Sequence, residues 1–229
     1  MLIHIIEDDK DIANLVQFNL MDAGHDVICS GDGKNGLATA VDKIPDLILL
    51  DLMLPGMNGI DICEQLKKIK STHLIPIIMM TAKGEEADVV RGLGAGAEDY
   101  ITKPFSTKIL VARVNSVLRR VNQYKLETGN TSEILSIDGL QINNTKRKVF
   151  CNQKEVEMTY SEFQILHLLA KTPGKVYTRQ QIVNFVRGEN HAITDRAVDV
   201  QIVGLRKKLD DCCEYIETVR GVGYRFKEL

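Results

Sequence analysis

The 229-residue sequence has no tryptophan and few aromatic residues of any kind, which together make up 5% of it. It also lacks any apolar run close to the roughly 20 residues that a membrane-spanning helix needs. The first residues, Met1–Glu7, show neither a basic stretch nor a small-residue cleavage site. We therefore expect no secretory signal, no membrane association and a cytoplasmic location.

Cysteine is scarce and scattered along the chain. The five cysteines are Cys29, Cys63, Cys151, Cys212 and Cys213. Their spacing matches no metal-binding pattern, and their number gives no even disulfide framework. We expect free thiols in a reducing cytosol, which excludes a secreted disulfide scaffold.

Neither sign of charge dominates, since the formal net charge is −2. Residues 1–121 carry 13 basic and 17 acidic residues, a net of −4; residues 122–229 carry the remaining 16 and 14, a net of +2. This contrast indicates two domains with separate tasks. The basic excess of the second half is too small to establish nucleic-acid binding by itself.

Short apolar runs alternate with amphipathic helical stretches in the first half. The runs are Leu2–Ile6, Asp26–Ser30, Leu47–Leu50, Ile75–Met80 and Glu98–Thr102. Five βα repeats predict an α/β domain, a flavodoxin-like (βα)5 fold with a five-stranded parallel sheet. We assign residues 1–121 to this domain and the polar segment 122–133 to a linker.

The second half has a different pattern of elements. Short alternating strands occupy Leu135–Met158, and capping-box patterns at Thr159–Glu162 and Thr178–Gln181 mark two helix starts. A third helix is expected over Thr194–Leu209, followed by a hairpin within Tyr215–Phe226. Three helices followed by a hairpin predict an α+β winged helix-turn-helix domain.

Polar residues follow four of the five predicted parallel strands. They are Glu7, Asp8 and Asp9 after the first, Asp51 after the third, Thr81 after the fourth and Lys103 after the fifth. We expect them to converge, because ligands bind beyond the carboxyl ends of such strands. Any one acidic residue could instead cap the next helix, and we expect Asp9 to do so.

A crowded set of carboxylates favours one kind of chemistry. The carboxylates repel each other unless cations lie among them, and oxygen ligands with open positions suit Mg²⁺. A carboxylate beside such an ion can attack phosphorus. Thr81 and Lys103 would then hold the oxygens of the transferred phosphoryl group.

Four segments of the first half resemble a known family. They are Ile5–Asp9, Leu49–Gly59, Met80–Lys83 and Asp99–Phe105. By them, residues 1–121 resemble a bacterial response-regulator receiver domain. The whole chain resembles OmpR/PhoB-type transcription factors, which combine such a receiver with a winged helix-turn-helix domain.

The resemblance implies a phosphoacceptor and a metal site. Asp51 would accept the phosphoryl group, and Glu7 and Asp8 would form the acidic pair beside it. Mg²⁺ would be bound by Asp8, Asp51 and the Met53 carbonyl, with Glu7 close by. Lys103 would pair with the phosphoryl group.

The resemblance also implies a conformational switch in the receiver. Thr81 and Tyr100 would form the switch pair, although spacing alone would describe Tyr100 as an ordinary half-buried strand aromatic. The Lys103–Pro104 peptide bond is expected to be cis, which proline permits at low cost.

Receivers of this family dimerise through the face formed by the fourth helix, the fifth strand and the fifth helix. Relatives usually have a charge pair where this chain has Val89 and Ile109, whereas the Asp99–Arg113 pair is retained. We expect a more apolar dimer interface with weaker salt dependence. The alternative is drift on a surface that does not dimerise.

The second half, residues 134–229, resembles the family's DNA-binding domain through Asp195–Val200, Leu205–Leu209 and Thr218–Phe226. The expected DNA contacts are Arg196, Gln201, Arg206 and Lys207 on the third helix and Thr218 and Arg220 in the hairpin. A solvated basic helix face would give the same charge pattern. Val203 and Gly204 stand where many relatives have basic residues. Gly204 either weakens the helix or lets it approach the groove more closely, with Val203 touching a thymine methyl group.

Three hypotheses follow from these patterns. The first is a two-component response regulator: a sensor histidine kinase phosphorylates Asp51, and the homodimer binds promoter DNA and contacts RNA polymerase. Such a protein is not an enzyme beyond its own phosphoryl transfer and slow autodephosphorylation. The second is a phosphorylation-independent DNA-binding regulator whose receiver serves as a dimerisation module. The third, a metal-dependent phosphohydrolase, lacks a recognisable general acid and substrate pocket.

Overall fold

The computed structural model describes residues 1–82, 86–127, 134–187 and 195–228. Their contacts divide into two compact units, Met1–Arg120 and Val121–Leu229, each with its own buried apolar cluster. Lys83 and the segment 128–133 of the expected linker lie outside the described residues. Among the helices that are described, none is long and apolar enough to cross a membrane.

The N-terminal unit alternates strands and helices as the sequence predicts. Its elements are β1 (Leu2–Ile6), α1 (Lys10–Asp22), β2 (Asp26–Ser30), α2 (Gly33–Lys43), β3 (Leu47–Asp51), α3 (Gly59–Lys68), β4 (Ile77–Ala82), α4 (Glu86–Gly94), β5 (Asp99–Lys103) and α5 (Thr107–Glu127). The strands form one parallel sheet in the order β2-β1-β3-β4-β5. Helix α5 runs to Glu127, so the linker expected from residue 122 begins as helix.

The central strands are apolar because helices cover both faces of a parallel sheet. Every residue of β3 is buried, including Asp51 at its end. Asp9 caps α1 as expected: its Oδ1 accepts hydrogen bonds from the backbone N–H groups of Asp11 and Ile12, at 2.9 and 3.1 Å. Capping thus engages Asp9 and leaves Glu7 and Asp8 to the sheet edge.

The C-terminal unit has the winged-helix architecture. Its elements are β6 (Ile134–Ile137), β7 (Leu140–Asn143), β8 (Lys148–Cys151), β9 (Lys154–Val156), α6 (Tyr160–Ala170), β10 (Tyr177–Thr178), α7 (Arg179–Arg187), α8 (Asp195–Leu209), a 3-10 helix (Asp210–Tyr215), β11 (Ile216–Val219) and β12 (Gly223–Phe226). The first four strands form an antiparallel sheet, and β10 joins the β11–β12 wing in the order β10-β12-β11. The α+β prediction is confirmed.

Local capping fixes where two of its helices begin. The N–H of Thr159 donates to Glu162 Oε2 at 2.7 Å, and the N–H of Glu162 donates to Thr159 Oγ1 at 3.3 Å. Thr178 and Gln181 make the same reciprocal pair at 2.9 and 3.2 Å. Both capping boxes predicted from the sequence are confirmed.

The wing depends on two glycines. Gly221 has a φ of +74°, a conformation that favours glycine in the turn between β11 and β12. A Cβ on Gly223 would collide with the carbonyl oxygen of Tyr177, so only glycine lets β12 pair with β10 at this position.

The cysteines depart from the sequence-based expectation. Cys151 and Cys212 form a disulfide, with their Cα atoms 6.1 Å apart and a sequence separation of 61 residues. The expectation of five free thiols is therefore wrong for this pair, because folding brings the end of β8 against the 3-10 helix. Cys29, Cys63 and Cys213 are free.

Candidate functional site

Three carboxylates converge at the carboxyl edge of the parallel sheet. Glu7, Asp8 and Asp51 each offer an oxygen, and these oxygens lie within 4.8 Å of one another. Glu7 and Asp51 are buried, whereas Asp8 is exposed. This donor set fits Mg²⁺, which takes oxygen ligands and keeps some of its waters, since one side of the cluster faces solvent.

Lys103 supplies the positive charge that this cluster needs. Its Nζ lies 2.7 and 2.9 Å from the two carboxylate oxygens of Glu7 and 3.1 Å from Asp51 Oδ2. Burial acts to lower the pKa of Lys103, but hydrogen bonding to Glu7 and the charges of Asp51 and Glu7 outweigh it and raise that pKa. Burial raises the pKa of Glu7, and the hydrogen bond from Lys103 opposes this effect. Lys103 therefore stays charged between the two carboxylates.

The backbone after β3 holds Asp51 in position. The N–H of Leu52 donates to the Met80 carbonyl on β4, and the N–H of Gly59 donates to the Leu52 carbonyl, both at 3.0 Å. A Cβ on Gly59 would collide with the carbonyl oxygen of Asp51, so only glycine lets α3 begin this close to the strand. The sequence signal for this positioning role is a glycine at a helix start shortly after a strand-end carboxylate.

The expected switch residues lie on adjacent strands. Thr81 is buried at the end of β4, and its hydroxyl donates to the Ala82 carbonyl at 3.2 Å. Tyr100 is half-buried on β5, and both residues line a narrow crevice against α4. The Lys103–Pro104 peptide bond is cis, as expected.

The expected dimer residues differ in their availability. Asp99 is fully buried and pairs with Arg113 of the same chain, with Arg113 Nη1 2.9 Å from Asp99 Oδ2. Ile109 on α5 is 56% exposed, and Val89 on α4 is half-buried. The part of this face formed by Val89 and Ile109 is therefore apolar, and the retained Asp99–Arg113 ion pair lies within one chain.

Two of the expected DNA contacts are engaged within the fold. Gln201 is only 6% exposed, so its side chain cannot read a base edge. Arg206 turns toward the wing: its Nη2 donates to the Ile216 carbonyl at 2.6 Å and to Thr218 Oγ1 at 2.9 Å. The helix periodicity that placed both residues on an outward face did not include the elements that pack against α8.

A second polar cluster joins α7, α8 and β12. Asp199 Oδ1 accepts hydrogen bonds from Arg179 Nε at 2.7 Å and from the Tyr224 hydroxyl at 2.6 Å. The Arg179 guanidinium also lies 5.1 Å from the centre of the Tyr224 ring. Sequence reasoning missed this cluster, whose members are far apart in the chain.

Fewer residues of α8 face solvent than the sequence pattern predicts. Val203 is 64% exposed, and Lys207, one turn later, is also exposed. A Cβ on Gly204 would lie 3.2 Å from Glu162 Oε1, so Gly204 faces α6, and the interpretation that it admits the DNA groove is wrong. The side chain of Arg196 lies outside the described residues.

Comparison with known families agrees with this architecture. The family described as "Response regulator receiver domain" matches residues 3–115. The family described as "Transcriptional regulatory protein, C terminal" matches residues 153–226. The chain belongs to the OmpR/PhoB-type response regulators, which are two-component transcription regulators with a receiver and a DNA-binding domain.

Individual relatives cover nearly the whole chain. It is 42% identical over 224 residues to the phosphate regulon transcriptional regulatory protein PhoB of Shigella flexneri, which is 97% of this chain and 96% of the relative. The same figures hold for PhoB of Escherichia coli (strain K12). Two substituted forms of RitR match over 100% of this chain and 99% of theirs, with TM-scores of 0.80 and 0.82 at 27% identity.

Arg206 binds the wing, whereas Lys207 is exposed, and substitution can test this difference. Arg206→Ala should lower the free energy of unfolding of the C-terminal unit by about 1–3 kcal/mol, because the Ile216 carbonyl and Thr218 Oγ1 lose their charged donor. Lys207→Ala should change stability by less than about 0.5 kcal/mol. It should instead weaken DNA binding uniformly across sequences and reduce the salt slope by roughly one unit. Thermal unfolding and salt-dependent binding assays measure the two effects; equal stability losses would contradict the division.

Proposed function

We propose that this chain is a response regulator whose DNA binding is controlled by phosphorylation of Asp51, with a sensor histidine kinase as the donor. The observation that carries the proposal is the ion-paired cluster of Glu7, Asp51 and Lys103, with Asp8 exposed beside it. A merely structural ion pair would not require the third, exposed carboxylate. The cluster also faces the sheet edge at which ligands of parallel α/β folds bind.

The proposed reaction follows from what each side chain can do. An oxygen of Asp51 attacks the phosphorus of a phosphohistidine, and the histidine nitrogen leaves with the bonding electron pair. Lys103 and the Thr81 hydroxyl bind the transferred phosphoryl oxygens. Water later attacks the same phosphorus, which makes slow autodephosphorylation the chain's only hydrolytic activity.

Mg²⁺ is the proposed cofactor of this transfer. The side chains of Glu7, Asp8 and Asp51 and the carbonyl of Met53 would hold the ion at the sheet edge. When bound there, Mg²⁺ would offset the negative charge of the phosphoryl oxygens and of the carboxylates themselves.

Asparagine substitution tests the assignment of Asp51. Asp51→Asn should abolish phosphorylation by acetyl phosphate with Mg²⁺, because an amide oxygen is a far weaker nucleophile than a carboxylate. The matched control is Asp9→Asn, which changes the capping residue of α1 and should leave phosphorylation largely intact. Intact-mass spectrometry would detect the adduct of about 80 Da, one phosphoryl group; a full adduct on the Asp51→Asn chain would refute the proposal.

Helix α1 offers a docking surface for the proposed kinase. Phe18 is 71% exposed, and Leu15 and Met21, three residues before and after it, are exposed as well. Exposed apolar patches of this kind mark protein interfaces. A protein that brings phosphohistidine to Asp51 must bind beside the pocket, and α1 begins immediately after the pocket residue Asp8 and its neighbour Asp9.

The docking surface predicts a difference between protein and small-molecule phosphodonors. Phe18→Ser should slow phosphotransfer from a kinase at least about tenfold, since an interface aromatic often contributes more than 1.4 kcal/mol. Transfer from acetyl phosphate should be unchanged, because it needs no docking. The control is Val41→Ser, an exposed apolar position on α2. The measurement uses a panel of autophosphorylated kinases from the source organism; equal loss with both donors would place the defect in the pocket instead.

The proposed output is regulation of transcription in the cytoplasm. Double-stranded promoter DNA would contact Lys207, Thr218 and Arg220, with Arg196 added at the start of α8. Val203 offers an apolar surface of the kind that meets thymine methyl groups. RNA polymerase is the further partner that a promoter-bound regulator would address.

A second candidate function is phosphorylation-independent DNA binding with the receiver as a permanent dimerisation module. The exposed Ile109 and half-buried Val89 favour it. Fully burying an aliphatic side chain is worth roughly 1.5–3 kcal/mol, whereas an exposed ion pair gives about 0–1 kcal/mol. An apolar face could therefore hold some dimer without phosphate. Unchanged promoter occupancy in an Asp51→Ala strain would favour this candidate over the first.

The apolar face predicts a specific pattern of dimerisation. The unphosphorylated chain should dimerise measurably at high concentration, more strongly when phosphorylated, and with little dependence on salt. Ile109→Glu should disrupt the dimer, because its carboxylate would lose water without gaining a partner. Adding Val89→Arg should restore the dimer and make it strongly salt-sensitive. Analytical ultracentrifugation at low and high salt decides; a dimer that survives Ile109→Glu must use another surface.

A further inference from the structure

The two disulfide-bonded cysteines flank the helices of the C-terminal unit in sequence. Cys151 ends β8, and Cys212 lies in the 3-10 helix that directly follows α8. Both sulfurs belong to the buried apolar cluster of this unit. The chain between them contains α6, α7 and the whole of α8, so the bond closes a loop around the entire helical core.

A groove borders one of the two cysteines. The groove encloses about 330 Å³ and is lined by Cys151 on one side and by the chain around the end of α8 on the other. The groove is also lined by two lysines, Lys154 and Lys208, and by four carboxylates, Glu155, Glu157, Asp210 and Asp211. Cys212 does not line the groove and is nearly fully buried. The two cysteines therefore differ in access, as an attacking and a resolving thiol do.

We propose that Cys151 and Cys212 are a reversible redox site whose oxidised form locks α8 against the four-stranded sheet. The oxidant is a low-molecular-weight disulfide such as oxidised glutathione. Reversibility rests on the proposed cytoplasmic location, where disulfides in most proteins are transient or redox-sensing rather than structural. The site is independent of Asp51 and of the phosphorylation chemistry.

The chemistry balances as two successive exchanges. The thiolate of Cys151 attacks one sulfur of the small disulfide, forms a mixed disulfide and expels one small thiolate. Cys212 then loses its proton and attacks the Cys151 sulfur, which expels the second small thiolate. The two protein thiols lose two electrons and two protons, and the small disulfide becomes two thiols.

Oxidation should stiffen the helix that reads DNA. Cys212 follows the end of α8 by less than one helical turn, so the bond fixes that end of the helix to β8. Disulfides that close long loops also strongly constrain the unfolded chain. The reduced pair would keep its apolar packing but would lose the covalent tie.

The experiment compares the full chain after equilibration with different ratios of reduced and oxidised glutathione. Alkylation of the unfolded chain followed by intact-mass analysis should count five free thiols in the reduced form and three in the oxidised form. Oxidation should raise the unfolding midpoint of the C-terminal unit by roughly 10–20 °C. Hydrogen exchange of α8 should slow in parallel.

Alanine variants identify the cysteines responsible. Cys151→Ala and Cys212→Ala should each abolish the oxidation-dependent rise in midpoint, whereas Cys213→Ala should retain it, because Cys213 is free in the structure. Peptide mapping should find the bond between Cys151 and Cys212. Two results overturn the proposal: no such bond at the most oxidising ratio, or a bond that persists at the most reducing ratio and is therefore permanent. Either result leaves Asp51 phosphorylation unaffected, so this test is separable from that of the proposed function.

Discussion

Charge neutralisation by Lys103 is the interaction on which the N-terminal site depends. Strand β5, which carries Lys103, is separated in the sheet from β1, which carries Glu7, by β3 and β4. The amine nevertheless reaches both Glu7 and Asp51, because β5 pairs with β4 in a register that ends at Ala82 and Lys103. A slip of one residue would turn Lys103 to the opposite face and leave two buried carboxylates unpaired. The register of an edge strand thus sets the chemistry of the pocket.

Much of this arrangement could be predicted from sequence because it rests on local patterns. Apolar runs located the strands, and parallel topology then required Glu7, Asp8 and Asp51 to meet at one edge. The partner of Lys103 could not be predicted in this way. From the sequence, the Lys103 amine was expected to bind a phosphoryl oxygen. In the structure it lies closer to Glu7, at 2.7 Å, than to Asp51, at 3.1 Å. Phosphoryl binding at Asp51 would therefore compete with an existing ion pair.

The DNA-binding half was less predictable, and the reason is physical. A basic residue on an amphipathic helix has the same periodicity whether it faces DNA or a neighbouring strand. Arg206 and Gln201 were both expected to face DNA, yet the wing engages the first and the fold buries the second. The same limit applies to Cys151 and Cys212, whose proximity depends on how β8 packs against the end of α8. In each case the surroundings of the side chain depend on tertiary packing, which local sequence patterns do not encode.

These tertiary contacts hold α8 along most of its length. Asp199 ties its first half to α7 and β12, and Arg206 ties its second half to the wing. Lys208 pairs with Glu162 at 2.6 Å, and Cys212 joins the chain just beyond the helix to β8. If α8 enters the DNA groove as proposed, it would lose little conformational entropy on binding, because several of its polar side chains are already ordered. Among the described side chains of α8, Val203 and Lys207 offer an apolar surface and a charge to solvent. Under the proposed function, base preference would therefore rest on few side chains and on the wing.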